Sequence, residues 1–338
     1  MKKILVTGGL GYIGSHTCVE LLENNYEVVV IDNLYNSTLG VIDRIEEITN
    51  KSFKFYLADV RDKKILTQIF TENDIYAVIH FAGLKAVGES VEKPLEYYDN
   101  NITATLNLLE VMKKFDVKNI IFSSSATVYG KPKTVPIKED FPLSVTNPYG
   151  RCKLFIEEIL NDLYISDKDW NIVLLRYFNP IGAHKSGKIG ESPVGIPNNL
   201  IPYVTEVAVG KLDHVNVFGD DYDTEDGTGV RDYIHVVDLA RGHIQAIKKF
   251  EEEKKVRIYN LGTGRGYSVL DIINTFSDIV GKKIKYVITK RRSGDIDKCF
   301  ADPTKAKKEL SWVAKYGLRE MCEDSWRWQK NNPNGYEK

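Results

Sequence analysis

A tyrosine and a lysine four residues apart could carry acid–base chemistry, because a phenol with a pKa of about 10 accepts protons near neutrality only beside a cation. The chain contains this spacing four times, at Tyr129/Lys133, Tyr149/Lys153, Tyr164/Lys168 and Tyr286/Lys290. Only Tyr149 opens a long helical stretch, with Asn147 as a candidate N-cap and Pro148 suited to the first helical position. We therefore predict that Tyr149 and Lys153 share one helix face and form a catalytic pair.

A run of three serines, Ser123 to Ser125, follows the apolar stretch 120–122. Ligands of open α/β sheets collect at the carboxyl ends of the strands, so this run is a second candidate for contact with a substrate. Serines are common in loops, and the run carries little weight without the tyrosine and lysine.

Glycines at positions 8, 11 and 14 lie between the first apolar stretch and the first helical stretch. In that position Gly8 serves a tight turn, Gly11 lets the backbone approach a pyrophosphate, and Gly14 lets the helix pack closely. Asp32 ends the second apolar stretch, 18 residues after Gly14, where a carboxylate can accept hydrogen bonds from a ribose diol. It would repel a 2'-phosphate, so the pattern predicts NAD rather than NADP.

Short apolar stretches alternate with stretches of helical spacing through the first half of the chain. The predicted strands, each buried on both faces, are 4–6, 28–31, 53–57, 77–81, 120–122 and 172–175. The predicted helices are 12–24, 63–70, 95–115 and 149–164. This alternation predicts an α/β fold with a doubly wound parallel sheet of the Rossmann type.

The pattern loosens after residue 179 into a stretch rich in Gly, Pro and Asn. We predict an NAD-binding domain over 1–178 and a smaller, mixed α/β lobe over 179–338 that binds the substrate, with some of its segments returning to the first domain. Helical spacing over 237–250, 269–280 and 318–329 fits either part.

Composition excludes several classes of function. A formal net charge of −1 provides no general attraction for nucleic acid, and no apolar run reaches the roughly 18 residues of a membrane helix. Four scattered cysteines form no CxxC pair, which favours free thiols over disulfides or a metal site. We predict a cytoplasmic protein without a metal, a nucleic-acid partner or a membrane anchor.

Longer sequence blocks make the pattern more specific. The glycines, Asp32, the serines and the Tyr149/Lys153 pair resemble the extended short-chain dehydrogenase/reductase superfamily. Five blocks resemble the UDP-glucose 4-epimerase family within it: FAGLKAVGES (81–90), SSSATVYG (123–130), RYFNP (176–180), GIPNNL (195–200) and GTGVRDYIH (227–235). The resemblance extends from near residue 4 to near residue 303.

This resemblance implies a role for each site residue. Tyr149 would be the base on the sugar 4-hydroxyl, Lys153 would tune it and contact the nicotinamide ribose, and Ser125 would hydrogen-bond the same sugar oxygen. The implied cofactor residues are Gly8, Gly11, Tyr12, Ile13, Gly14, Asp32, Asn33, Leu34, Tyr35, Asn36, Ser37, Asp59, Val60, Phe81, Ala82, Gly83, Leu84, Lys85, Asn100, Tyr149, Lys153 and Phe178. The implied substrate residues are Ser125, Tyr149, Asn179, Asn199, Leu200, Arg231, Arg292, Asp295 and Cys299.

The implied reaction interconverts UDP-glucose and UDP-galactose, a step of galactose metabolism, through a 4-keto sugar that turns over within the site. NAD would stay tightly bound because every cycle regenerates it, and the family resemblance implies a homodimer. Cys299 stands where family members restricted to glucose carry a Tyr. A smaller residue there implies that UDP-N-acetylglucosamine and UDP-N-acetylgalactosamine are also substrates.

Two other functions fit parts of the pattern. A nucleotide-sugar 4,6-dehydratase would share the fold, NAD and the Tyr/Lys pair, but that family has Thr-Asp-Glu where this chain has Ser125-Ala126-Thr127. Without those carboxyl groups the 6-hydroxyl has no evident proton donor. A non-catalytic NAD-binding sensor or scaffold would need only the fold, since a fold alone proves no chemistry.

Overall fold

Strands and helices alternate along the chain in a computed structural model, which describes residues 1–193, 195, 197, 199–292 and 294–336. The strands are β1 (Lys3–Thr7), β2 (Glu27–Asp32), β3 (Lys54–Leu57), β4 (Ala77–His80), β5 (Asn119–Ser125), β6 (Asn171–Tyr177), β7 (Asn179–Ile181), β8 (Val215–Phe218), β9 (Val230–Arg231), β10 (Tyr233–His235), β11 (Val256–Leu261), β12 (Tyr267–Ser268), β13 (Tyr286–Thr289) and β14 (Lys298–Cys299).

The helices surround these strands. They are α1 (Tyr12–Glu23), α2 (Gly40–Thr49), α3 (Lys63–Glu72), α4 (Val87–Glu92), α5 (Pro94–Tyr98), α6 (Ala104–Lys114), α7 (Pro148–Ser166), α8 (Leu200–Val209), α9 (Val236–Lys248), α10 (Val269–Val280), α11 (Thr304–Leu310) and α12 (Leu318–Asn331). A π-helical turn covers Asp99–Thr103, and 3-10 turns cover Ala126–Tyr129 and Lys249–Glu251. Within the described residues, no helix has both the length and the apolar character needed to cross a membrane.

Seven parallel strands form the central sheet, in the order β11-β6-β5-β4-β1-β2-β3. Side chains of β1 alternate between its two faces: Ile4 and Val6 pack in one apolar cluster and Leu5 packs in the other, all with no exposed surface. Strand order reverses between β1 and β4, and such a switch point creates a crevice at the carboxyl ends of the strands. The predicted Rossmann-type doubly wound sheet is confirmed.

One detail of the sequence prediction was wrong. The stretch 53–57 forms the edge strand β3, which pairs only with β2 and leaves Leu57 62% exposed, so it is not buried on both faces. An apolar run cannot by itself distinguish an edge strand from a central one. The predicted helix 95–115 is present as one helical stretch, in which the π turn Asp99–Thr103 joins α5 to α6.

Smaller sheets and a separate apolar cluster build the later part of the chain. Strands β7 and β10 pair in parallel, β9 lies between β12 and β14, and β8 pairs with β13. Helices α8, α10 and α12 share one core, whereas α9 packs with the sheet and α1. The boundary at residue 178 stays a prediction, and β11 is a segment from beyond it that joins the central sheet.

Candidate active site

The glycine loop between β1 and α1 forms a cradle that side chains would fill. Gly8 has a φ of +68°, and a Cβ added there would lie 2.9 Å from the backbone nitrogen of Ala82. A Cβ on Gly14 would lie 2.3 Å from the carbonyl oxygen of Gly8. Gly11 caps α1 without a side-chain hydrogen bond, so the first backbone N–H groups of the helix, including those of Tyr12 and Ile13, are available to an anion. This arrangement fits a pyrophosphate.

Asp32 connects the glycine loop to the next loop of the predicted cofactor site. Its Oδ2 accepts from the backbone N–H of Leu10 at 3.0 Å, and its Oδ1 accepts from Leu34 N–H and from the Ser37 hydroxyl, both at 2.9 Å. A carboxylate has about four acceptor positions, so Asp32 retains capacity for a ribose hydroxyl. The remaining side of this loop includes Tyr35 and Asn36.

Asn33 extends the same pocket toward β3 by donating to the Asp59 carboxylate at 3.1 Å, next to the buried side chain of Val60. The geometry therefore groups the residues predicted for the adenosine end of NAD.

The opposite wall of the predicted cofactor site is the segment after β4. Phe81 packs against the ring of His243 with centroids 4.9 Å apart, and Gly83 has a φ of +158°. Asn101 holds the next residue, because its Oδ1 accepts from Leu84 N–H at 2.7 Å and its Nδ2 donates to Leu84 O at 3.0 Å. Asn100, predicted to contact the cofactor, is its neighbour in the π turn.

Tyr149 and Lys153 lie on the face of α7 that packs against β5. Asn147 caps the helix by accepting from Gly150 N–H at 2.8 Å, and Pro148 is its first residue, as predicted. The Lys153 ammonium donates to the Ser123 carbonyl at 2.6 Å and lies 5.9 Å from the centroid of the Tyr149 ring. The structure thus brings the predicted pair together at the carboxyl end of β5.

Burial sets the acid–base properties of this pair. It raises the pKa of Tyr149 to about 12, although the interaction with Ser125 offsets part of this rise. Burial lowers the pKa of Lys153 to about 8, partly offset by Glu157 and Cys152. A phenol in this environment accepts a proton near neutrality only with added positive charge beside it, which the protonated lysine and an oxidised nicotinamide can provide.

Two arginines meet at one carboxylate on the other side of the crevice. The guanidinium of Arg292 donates to Asp295 Oδ2 at 3.0 Å, and Arg231 lies 3.7 Å from Asp295 Oδ1. Arg231 also donates to the carbonyl oxygens of Val230 and Ile296, each at 2.9 Å. The predicted diphosphate residues are therefore adjacent.

The other predicted substrate residues border this cluster. Cys299 is the register partner of Arg231 in the pairing of β14 with β9. Its side chain packs on a buried cluster that includes Phe178, a predicted cofactor residue. Asn179 begins β7, and Asn199 precedes Leu200 at the start of α8. Ile196, Asn198 and Ser293, which belong to the family-like blocks or the segment after Arg292, lie outside the described residues.

Sequence reasoning missed three groups that hold the site together. Asn101 fixes the segment after β4, as described above. Glu191 accepts from Asn199 Nδ2 at 2.6 Å and lies 3.5 Å from the Lys85 ammonium, so it connects predicted substrate and cofactor residues. Glu157 and Arg176 form a buried ion pair behind the serines. No sequence pattern pointed to these residues, because each is far along the chain from its partner. Glu157 does continue the four-residue spacing of Tyr149 and Lys153.

Known proteins resemble this chain over nearly its whole length. Residues 5–325 match the model of a family described as GDP-mannose 4,6 dehydratase. The UDP-glucose 4-epimerase of Bacillus subtilis is 62% identical over 333 residues, which are 98% of each chain. This chain belongs to the UDP-glucose 4-epimerase family. The human UDP-glucose 4-epimerase is 58% identical over 342 residues, covering 99% of this chain and 98% of the human one.

The fold of the family is also that of this chain. A crystal structure of UDP-glucose 4-epimerase from Bifidobacterium longum, in complex with NAD+ and UDP, superimposes with a TM-score of 0.96 at 57% identity. The match covers 99% of this chain and 100% of that one. The predicted relationship to this epimerase family is confirmed.

No group of three or more His, Cys, Asp or Glu side chains suited to a metal occurs in the part of the chain that the structure describes.

Proposed function

We propose that this chain interconverts UDP-glucose and UDP-galactose at carbon 4 of the sugar, with NAD as its cofactor. The full-length match to UDP-glucose 4-epimerases, at 62% identity to the Bacillus subtilis protein, carries the proposal. The site supplies the chemistry that this reaction needs, because a phenol, a serine hydroxyl and an ammonium meet at the end of β5.

NAD fits the crevice at the glycine loop. Bound there, it accepts hydride from carbon 4 and returns it to the opposite face of the keto sugar. Gly8, Gly11 and Gly14 leave room for the pyrophosphate, and Asp32 meets the adenosine ribose. Asp32 also disfavours the 2'-phosphate of NADP. Because each turnover restores the oxidised cofactor, NAD has no need to leave, and we propose that it stays bound.

Tyr149 removes the proton of the sugar 4-hydroxyl and later returns it to the same oxygen. Ser125 lies close enough to the phenol to lower its pKa, so the serine hydroxyl can hold the sugar oxygen beside the base. Lys153 keeps its place through the 2.6 Å bond to Ser123 O and, with a pKa of about 8, is mostly charged at neutral pH. Its charge favours the phenolate form of Tyr149.

The UDP group anchors the substrate while the sugar turns. Arg231 and Arg292 present guanidinium groups suited to a diphosphate, and Asp295 between them orders both side chains. Asn179, Asn199 and Leu200 complete the proposed nucleotide site. Firm contacts on UDP with fewer contacts on the sugar allow the keto sugar to present either face without leaving.

The sequence of the serine turn disfavours the dehydratase alternative. At Ser125-Ala126-Thr127 the chain has no carboxyl group to protonate a leaving 6-hydroxyl. A non-catalytic scaffold would not need the arrangement of Tyr149, Lys153 and Ser125.

Incubation of the purified protein with UDP-galactose, followed by chromatographic separation of the products, distinguishes these functions. UDP-glucose is the expected product. A 4-keto-6-deoxy sugar would indicate a dehydratase, and unchanged substrate would indicate a scaffold. Mass spectrometry of the cofactor released on denaturation should find NAD or NADH, and mainly NADP would contradict the role of Asp32.

We also propose that the enzyme accepts UDP-N-acetylglucosamine and UDP-N-acetylgalactosamine. Cys299 packs against the buried cluster that includes Phe178, and Ala126, the residue after Ser125, packs against the same cluster. Burial raises the pKa of its thiol to about 11, so it is a neutral, small side chain. Because the protein is closely packed around this position, a larger side chain would occupy the space that an N-acetyl group needs.

Assays of both substrate pairs test this proposal. Cys299→Tyr should abolish the activity on the N-acetylated sugars and spare that on UDP-galactose. Cys299→Ser is the matched control and should retain both activities. If the unaltered protein leaves the N-acetylated sugars untouched, Cys299 does not determine the substrate range.

An apolar surface on α4, α5 and α7 supports a homodimer. Val91, Leu95 and Phe155 are 62%, 82% and 40% exposed, and α4 and α5 pack against α7. Exposed apolar patches of this kind mark protein interfaces. Sedimentation equilibrium should give a dimer, and Leu95→Glu should convert it to monomers. Val313→Glu, at a position 51% exposed on another surface, should not.

A reducing compartment fits the cysteines. All four are free thiols, and Cys18, Cys152 and Cys322 are buried. We therefore propose that the protein works in the cytoplasm, and cell fractionation with an antibody to the native protein tests this location.

A further inference from the structure

One face of α7 contacts the serine run of β5 at successive helical turns. Tyr149, Lys153 and Glu157 follow one another at intervals of four residues and therefore share this face. Ser125 lies near the first of them and lowers the pKa of its phenol. The second donates to the carbonyl of Ser123 at 2.6 Å. The proposed mechanism uses both of these contacts.

The third contact has no role in that mechanism. The hydroxyl of Ser124 donates to Glu157 Oε1, so the serine between the two functional ones is also tied to α7. Arg176 of β6 then holds the same carboxylate in a fork, with its Nε 3.0 Å from Oε1 and its Nη2 2.7 Å from Oε2. The side chains of Glu157 and Arg176 are each only 2% exposed.

The ion pair continues into a polar network beneath the serine turn. Arg176 donates to the Tyr129 hydroxyl at 2.9 Å and to the carbonyl of Glu139 at 3.0 Å. Tyr129 donates to Asn260 Oδ1 at 2.7 Å, and Asn260 Nδ2 donates to Ile137 O at 2.9 Å. The network thereby fixes both ends of the turn Ala126–Tyr129 that follows Ser125.

We propose that Glu157, held by Arg176, is a positioning residue for the epimerase reaction. It sets the serine run against α7, so that Ser123 holds Lys153 and Ser125 faces Tyr149. Its carboxylate, one helical turn from Lys153, also opposes the lowering of the Lys153 pKa by burial. This inference rests on the proposed function.

The other groups around Lys153 do not replace Glu157 in this role. The titratable groups that act on Lys153 are Tyr149 and Cys152 on α7 and His80 on β4. On β6, Tyr177 interacts with Ser123 and Tyr149, and Arg176 pairs with Glu157. Burial keeps His80 neutral, with its pKa lowered to about 3, and raises the pKa values of the two tyrosines and the thiol. Among the described groups around Lys153, Glu157 is thus the carboxylate.

The pH dependence of kcat separates this role from a merely structural one. Glu157→Gln keeps the shape of the side chain but leaves Arg176 unbalanced, and both changes disfavour a protonated Lys153. We expect kcat to fall about tenfold at pH 7, with KM for UDP-galactose changed less than twofold. The alkaline limb of the kcat profile should move to lower pH. A crystal structure should also show the Lys153 to Ser123 bond lengthened beyond 2.6 Å.

Asp238→Asn is the matched control for loss of a buried carboxylate. Asp238 is 1% exposed and accepts from the backbone N–H groups of Lys315 and Tyr316, at 2.6 and 2.9 Å. This variant should melt at a lower temperature yet leave kcat within twofold and the alkaline limb unmoved. If it moves the limb as Glu157→Gln does, the proposal is wrong, because any buried carboxylate would then have the same effect.

Two further variants keep the proposal testable if Glu157→Gln does not fold. Ser124→Ala removes only the hydroxyl that Glu157 accepts from, so kcat should fall about threefold to tenfold while the alkaline limb stays in place. The double variant Glu157→Gln/Arg176→Met removes both charges, so the limb should return toward that of the unaltered protein. Unchanged kcat in Ser124→Ala, or a limb that does not return, would overturn the proposal. An unaltered protein without epimerase activity would instead refute the proposed function.

Discussion

The two sides of the crevice are built in opposite ways. On the side of Tyr149, charged groups lie deep in the protein: Glu157 and Arg176 are each 2% exposed and fully paired. On the nucleotide side, the Arg292 side chain is 55% exposed and that of Arg231 is 19% exposed. Both arginines share Asp295, with which an incoming diphosphate must compete. The groups proposed for proton transfer are therefore already fixed by the fold, whereas the arginines proposed to anchor UDP would have to exchange Asp295 for the diphosphate on binding.

The secondary structure explains this contrast. Tyr149 and Lys153 lie on a helix of 19 residues packed against strands of the central sheet, and β5 has seven residues. Arg231 and Cys299 lie on strands of two residues each. Short strands provide few backbone hydrogen bonds and little burial, so this region holds its side chains less firmly.

The largest effect should come from the fixed side. Tyr149→Phe removes only the oxygen that accepts the proton, and we expect kcat to fall roughly 10²- to 10⁴-fold. NAD and UDP should still bind, since the ring and its packing remain. Steady-state kinetics and the NAD content of the purified variant measure this. Near-normal turnover would exclude Tyr149 as the base.

Ser125→Ala should have a smaller effect on the same side. It removes one hydrogen bond to the reacting oxygen and leaves the base in place, so we expect a loss in kcat of roughly 10- to 10²-fold. Comparison with Tyr149→Phe under identical conditions is decisive. A greater loss in the serine variant would reverse the two roles.

Arg292→Ala probes the nucleotide side, where we expect a change in binding rather than in chemistry. KM should rise roughly tenfold, the effect of one lost charge-assisted hydrogen bond at a partly exposed site, with kcat changed less than twofold. Arg319→Ala is the control, because Arg319 is also exposed (66%) and paired, with Glu323. A large loss in kcat for Arg292→Ala would show that both sides take part in the chemistry.

Acid should destabilise the fold around the central sheet and α1 through the buried histidines His80 and His16. Burial lowers the pKa values of His16 and His80 to about 3, below the value of about 6.5 for an unfolded chain. Both groups are neutral in the folded protein, so their contribution is complete above pH 6.5 and is lost as the pH falls toward 3. The melting temperature should therefore decline below about pH 6. His80→Gln should reduce the decline, and an unchanged decline would exclude His80 as a cause.

The sequence allowed the centre of the fold and the proximity of Tyr149 to Lys153 to be predicted because both depend on local patterns. Glycine spacing, Asp32 after β2 and the Asn147 cap are features of neighbouring residues. Strand β11 was missed because Arg257 interrupts its apolar residues. In the structure that arginine is 4% exposed and donates to Asn171 at 2.8 Å, a pairing that requires the tertiary fold.

The supporting contacts of the site could not be predicted for a similar reason. Glu157 meets Arg176 only because α7 folds back on β6, and a buried ion pair looks like any two surface charges in a sequence. The π turn Asp99–Thr103 likewise gives no hydrophobic signal, since it changes the hydrogen bonding and not the residue types. These features depend on partners that are far apart along the chain, so local sequence patterns do not reveal them.

The pairing of β14 with β9 has a consequence for anyone who redesigns or traces the evolution of this enzyme. Cys299 and Arg231 are opposite each other in that parallel ladder, and the carbonyl of Cys299 accepts from the N–H of Asp232, the residue after Arg231. The residue proposed to admit a bulky sugar is therefore held next to the arginine proposed to bind the diphosphate. A mutation that enlarges the sugar pocket and displaces β14 should therefore also displace Arg231, which we propose to bind UDP. The range of sugars accepted and the affinity for UDP are then coupled. Substitutions in β14 that change the first should be accompanied by compensating substitutions in β9.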